Sequence, residues 1–239
     1  MIEHGLFLLA AYVAAVIATI AGFGSSTILI PVAMFFMDLK TAVFLVACFH
    51  LFSNIFKIRL FFNKIDFKLF KLFGIPSILF AFFGAQCITI LPVEFLERTV
   101  ALFLILFSGI SFLKPHIKIT KSPSSAIFGG SLSGFLAGLI GMGGAIRSIF
   151  LLTFNLPKEI YIGTAAIIAF VIDLTRIPTY LWTGVVRDHV YYSLLPLLIV
   201  IAYLGVRTGK ALLGKIDQDV FKKIVLGALF LVGIKLLFS

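Results

Sequence analysis

Runs of about 20 apolar residues recur along the whole chain, and this one feature decides most of what the chain can fold into. A helix of that length crosses a 30 Å hydrocarbon layer with every backbone group paired internally. Six such runs stand out: 39–56, 67–91, 94–113, 160–186, 190–213 and 219–238. With 61% hydrophobic and 13% charged residues and a mean hydropathy of +1.17, the polar remainder cannot cover a water-soluble globule. The solvent is lipid, and no separate soluble domain fits. The N-terminus lacks a basic leader segment and runs straight into further apolar sequence, so it is expected to belong to the mature fold.

Two further apolar stretches behave differently. Residues 5–37 are interrupted at GFGSST (Gly22–Thr27) and residues 126–156 at GMGG (Gly141–Gly144). Each interruption leaves two pieces of about 11 to 17 residues, short for a full crossing. The interruptions correspond: a shift of 119 positions places Gly22 on Gly141, Gly24 on Gly143, Asn54 on Asp173 and Lys57 on Arg176 without a gap. The expected fold is an all-α membrane protein of two related halves, residues 1–113 and 126–239, joined by a basic cytoplasmic linker at 114–125. Each half is a broken helix pair followed by three transmembrane helices, eight hydrophobic segments in all.

Charge selects the topology, because cytoplasmic loops collect Lys and Arg. If both broken pairs cross fully, the loop cations divide nine to eight, which is no preference. If both are re-entrant, the division is fourteen to three: only Lys40, Arg98 and Arg187 remain outside. Re-entrant pairs, external termini and inverted halves are therefore expected. The basic residues fall in short clusters between spans, the pattern of a topology signal rather than of nucleic-acid binding. Cys48 and Cys87 lie inside apolar runs and read as small hydrophobes. Tyr180, Trp182, Tyr191 and Tyr192 read as anchors at one membrane boundary.

Backbone that leaves the helix at membrane depth is tolerated only where it is buried in protein or lines a wet cavity, so the breaks mark an interior site. A new helix starts just after each, and its first N–H groups and positive dipole end favour an anion. The candidate substrate-binding residues are Gly22, Gly24, Ser25, Ser26 and Thr27 at the first break and Gly141, Gly143, Gly144 and Arg147 at the second. Gly130, Gly134, Ala137 and Gly138 are instead expected to permit close helix packing. Ionisable groups within apolar spans normally face a cavity or a partner. Asp173, one helical turn before Arg176, either forms a structural ion pair with Arg176 or Arg147, or is a coupling group that releases Arg when substrate arrives or takes up a proton. Asn54 and Lys57 stand at the matching places, Lys57 at the edge of the cytoplasmic loop. His50 is expected to be a hydrogen-bonded packing residue rather than a proton relay.

AGFGSSTILIP (Ala21–Pro31) and AGLIGMGGAIRSIFLL (Ala137–Leu152) resemble the paired glycine motifs of the sulfite exporter TauE/SafE family. The similarity covers nearly the whole chain. It implies a multi-pass cell-membrane protein moving sulfite, sulfonates or related sulfur-containing anions. Here Ser25 and Ser26 stand where a longer glycine run is common, and Arg147 interrupts the apolar residues expected after the second motif. The expected partners are a small anionic substrate and the lipid bilayer, without nucleic acid and compatible with a homo-oligomer; no cofactor, metal site or enzymatic activity is expected. A passive anion channel is the competing reading. A rhomboid-like protease built on SLSGFLAG (Ser131–Gly138) lacks a histidine base in reach of Ser133.

Overall fold

A computed structural model describes residues 2–21, 24–113, 119–185, 189–212 and 218–238, so Gly22 and Arg187 lie outside the described residues. The described chain is helical throughout, with no strand. Its helices are α1 (Ile2–Ala21), α2 (Ser25–Ala33), α3 (Leu39–Leu60), α4 (Phe67–Ile90), α5 (Val93–Leu113), α6 (Pro123–Ile140), α7 (Gly143–Leu152), α8 (Lys158–Trp182), α9 (Leu195–Leu212) and α10 (Gln218–Leu237). A short 3-10 turn, His189–Leu194, precedes α9.

Six described stretches are long and apolar enough to cross a membrane: α3, α4, α5, α6, α8 and Tyr192–Leu212. The set differs from the sequence expectation at two points. α6 is 18 residues long because Ser122 caps its start, accepting from the Ser125 N–H, and Pro123 supplies a first-turn residue with no N–H to satisfy. This cap lies inside the stretch read as linker. α10 is 20 residues long but carries Lys222, Lys223 and Lys235, which keep it out of the apolar set. The broken pairs are also more unequal than expected. Their first arms have 20 and 18 residues, and their second arms, α2 and α7, only 9 and 10, about 14–15 Å each.

α3 forms the centre, with every residue from Thr41 to His50 buried. Its N-terminal half is almost wholly apolar, as a central position requires, and α3 packs on α8, α9 and α2. The other main pairings are α4 with α6 and α8, α5 with α10, and α1 with α9. Exposed Phe80, Phe83, Ile90, Leu106 and Leu113 give α4 and α5 an apolar outer face suited to lipid.

The expectation for the α6 glycines is met. α4 and α6 run parallel at backbone contact: a Cβ on Gly130 would fall 2.3 Å from the Phe73 carbonyl oxygen, and one on Gly134 2.2 Å from that of Ser77. The single Ser77 hydroxyl hydrogen is shared between the carbonyls of Phe73 (2.7 Å) and Gly130 (2.9 Å), one on each helix. Close approach through small residues is how helices gain contact where lipid competes equally for apolar side chains. α1 packs on α9 in the same way and direction, with Gly205 against Ala15 and Gly209 against Thr19, and a hydrogen bond from Tyr12 Oη to Thr208 Oγ1 (3.0 Å).

Candidate functional site

The two breaks come together inside the bundle. Gly24 has φ +87°, a conformation that L side chains rarely adopt, and the position its Cβ would take lies 3.4 Å from Gly144 Cα. Gly141 ends α6 in the left-handed conformation at φ +73°. α2 and α7 therefore start face to face. Neither has a side-chain cap, since Gly24 and Met142 precede them, so their leading N–H groups present two positive dipole ends to one region.

Charged and polar side chains converge there from three helices. From α7, Arg147 Nη2 lies 3.5 Å from the Gly24 Cβ position; from α3, His50 Nε2 lies 3.6 Å from it. A cavity of about 20 Å³ runs beside them, lined by Gly24, His50, Asn54, Lys57, Arg147 and Tyr161 among others. Such a volume is closer to one water molecule than to a sulfur oxyanion. Lys57 is 5% exposed, so it belongs to the interior rather than to the loop after α3. His50, Ser53, Asn54 and Lys57 form one polar face of α3 at spacings of three and four residues. Ser25 Oγ, His50 Nε2, Ser53 Oγ and Asn54 Nδ2 are buried without a hydrogen-bond partner among the described residues. Buried polar atoms are normally paired, and two of these orphans, on His50 and Asn54, belong to residues that line the cavity, which points to a ligand-facing wall. Ser26 and Thr27 are likewise buried in the first turn of α2.

Asp173 and Arg176 play a different part. Arg176 Nε and Nη2 both reach Asp173 Oδ1, at 2.9 and 2.8 Å, and Asp173 Oδ2 accepts from His50 Nδ1 at 2.9 Å. Arg176 Nη1 donates to the Ala137 carbonyl at 2.7 Å, and Tyr180 Oη donates to the Gly138 carbonyl. These carbonyls close the last turn of α6, where cations and donors oppose the negative dipole end. The pair thus anchors α6 to α8 at the second break and fixes the His50 ring. Tyr180 corrects a sequence expectation: it is fully buried, not interfacial, because it lies one turn beyond Arg176 on the inner face of α8. Trp182, 82% exposed, does sit outside, whereas Tyr192 packs edge-on against Phe44. Ser133 Oγ donates to the Gly143 carbonyl at 2.8 Å, tying α6 to α7.

Among the described residues the buried formal charges are Lys57, Arg147 and Arg176 against one carboxylate, Asp173. Asp173 is spent on Arg176 and His50, and Arg147 has no carboxylate within 4 Å among the described residues. A buried cation without a counter-charge costs several kcal/mol, which an anionic ligand offsets. His50 is buried and hydrogen-bonded to Asp173, as expected of a packing residue, and it also borders the cavity, one helical turn before Asn54 on the same face.

Among the described residues no group of three or more His, Cys, Asp or Glu is placed to hold a metal ion. No curated protein and no solved structure matches the chain. The profile of the sulfite exporter TauE/SafE family matches residues 7–236, and the chain belongs to that family of multi-pass membrane transporters.

Proposed function

We propose that the protein is a carrier that exports a small oxyanion, sulfite, a sulfonate or a related sulfur oxyanion, across the cell membrane. Family membership supports the sulfur-anion class. The observation that carries the reading is Arg147, a buried guanidinium with no carboxylate partner among the described residues, aimed at the junction of two uncapped helix starts. A guanidinium grips an oxyanion through paired N–H donors, while the leading N–H groups of α2 and α7 supply further donors. Gly24, Ser25, Ser26, Thr27, Gly143, Gly144 and Arg147 form the binding wall, with Asn54 and Lys57 beside it; Gly22 is assigned to the same wall by the repeat. Lys57 and Arg147 leave two formal positive charges beyond the Asp173–Arg176 pair, suited to a monovalent or divalent anion.

The halves are proposed to be inverted, and the helix contacts support this. Exchanging α1–α5 with α6–α10 maps α1 on α9 into α6 on α4, and leaves α3 on α8, α5 on α10 and α2 on α7 paired with each other. α1 parallel to α9 and α6 parallel to α4 give the two broken pairs opposite directions. One end of the bundle gathers Lys64 beside Glu159 (3.7 Å), Lys210 over the Phe61 ring and Lys121 over Phe154, and is proposed to be cytoplasmic. Lys57 and Tyr161 lie one turn from that end, so the cavity is nearest the cytoplasm, as an exporter loading there requires.

A cavity of about 20 Å³ must enlarge to admit an oxyanion, which favours a carrier over a standing pore. Flux of radiolabelled sulfite into proteoliposomes, competed by thiosulfate, sulfate and small sulfonates, tests the reading. Saturable flux that one sulfur oxyanion competes for is expected. Conductive, non-saturating flux would replace the carrier with a channel, and no flux or binding for any of these anions would remove the substrate class.

A further inference from the structure

On the anion-carrier reading, we infer that His50 is a direct ligand of the substrate and takes up a proton each time an anion binds, making the protein a proton–anion symporter. The ring has two unlike nitrogens in fixed surroundings. Nδ1 lies 2.9 Å from Asp173 Oδ2, and Asp173 is a carboxylate gripped by Arg176, hence acceptor only. Nδ1 must therefore carry a hydrogen. If the ring is neutral, Nε2 then holds a lone pair.

Nε2 is the nitrogen that faces the site. It is buried without a partner among the described residues, in a residue 3% exposed, and shares with Arg147 Nη2 the space beside Gly24. A lone pair there would face the oxygen of an anion held by Arg147, two acceptors with no hydrogen between them. One added proton removes the conflict: it bonds to Nε2, and the imidazolium donates from Nδ1 to Asp173 and from Nε2 to the anion. The same carboxylate–histidine arrangement orients imidazoles at metal sites by fixing which nitrogen is free.

The charged and titratable groups around His50 are compatible with this. α8 contributes Asp173, Arg176 and Tyr161; α7 contributes Arg147; α3 itself carries Cys48 and Lys57. α9 presents Tyr203 and Arg207 further along, against Phe56 and Arg59, and α2 brings only hydroxyls and Gly24. With the site empty, an imidazolium faces two uncompensated cations; with an anion present, the added negative charge favours it. Proton and anion therefore bind cooperatively and leave together, the proton passing from water on the loading side to water on the release side. A monovalent oxyanion would then cross with no net charge moved.

The test uses the purified full-length protein with methanesulfonate, which has no proton affinity of its own, and sulfite as a second probe. Titration calorimetry in buffers of different ionisation enthalpy counts protons taken up per anion bound. The wild type is expected to take up about one at alkaline pH, with affinity falling about tenfold per pH unit. His50→Gln replaces the charged donor by a neutral N–H, so it should bind the anion more weakly than the protonated wild type, without proton uptake and with a flat pH profile. Anion binding by the wild type without proton uptake overturns the inference and leaves the carrier reading standing, a result that needs no variant. Retained uptake in His50→Gln also overturns it. No binding of either anion by the wild type removes the anion reading, and the inference with it.

Discussion

Gly24→Ala separates the two reasons a glycine can stand at a break. An alanine Cβ there would meet Gly144 Cα at 3.4 Å, Arg147 Nη2 at 3.5 Å and His50 Nε2 at 3.6 Å, all ordinary van der Waals contacts. Packing therefore adds little, and the cost to the fold is the backbone at φ +87°, on the order of 1–3 kcal/mol. The effect on binding should be larger than this suggests. The methyl group would stand between the guanidinium and the imidazole, where an anion's oxygen is proposed to sit. Losing one hydrogen bond to a charged group costs about 1.5–3 kcal/mol, or roughly 10- to 150-fold in affinity. Gly134→Ala is the contrasting case. Its Cβ would lie 2.2 Å from the Ser77 carbonyl oxygen and 2.7 Å from Ser77 Cα, so α4 and α6 must part. That overpacking costs about 1–3 kcal/mol or more and leaves the break untouched. Thermal unfolding in detergent and sulfite calorimetry on both variants should show affinity lost in the first and stability alone lost in the second. Sulfite affinity within twofold of wild type in a folded Gly24→Ala protein would refute the reasoning and return Gly24 to a purely conformational role.

Three further outcomes follow from the same geometry. Arg147→Gln should unfold no more easily than wild type yet bind sulfite at least tenfold more weakly, since it removes a cation with no described carboxylate partner; calorimetry and a melting curve together distinguish this from a structural role. Asp173→Asn should destabilise the fold by about 3–5 kcal/mol by stranding the Arg176 charge, and Asp173→Leu with Arg176→Met should be milder than the single change. Single cysteines replacing Lys64 and Lys40, at opposite ends of α3, should react with impermeant thiol reagents from opposite faces; labelling from the same face would discard the proposed topology.

The membrane class, the positions of the breaks and the packing role of Gly130, Gly134 and Gly138 were legible because each depends on local pattern: apolar length, glycine punctuation and small-residue spacing. Helix ends were less so. Ser122 and Pro123 form a recognisable start signal, yet they sit in a basic, polar stretch that reads first as linker. Tyr180 misled for a different reason. Aromatic anchoring is a statistical tendency, whereas the Gly138 carbonyl in the last turn of α6 creates a specific demand for a buried donor that no local pattern in α8 reveals.

His50 and Lys57 mark the boundary of what pattern alone can resolve. Their spacing with Ser53 and Asn54 draws one polar face along α3, which requires a polar neighbour or a cavity, because lipid would leave those groups unpaired. What the face meets depends on α8 and α7, more than 80 residues away in the chain. Asp173 and Arg176 satisfy each other, the end of α6 and one nitrogen of His50, and so consume the bundle's only described buried carboxylate. Among the described residues the remaining donors, Arg147, Lys57 and Asn54, are left without a buried carboxylate of their own. A bundle whose internal partners run out on one side of a cavity favours a ligand of the missing sign, and here the missing sign is negative.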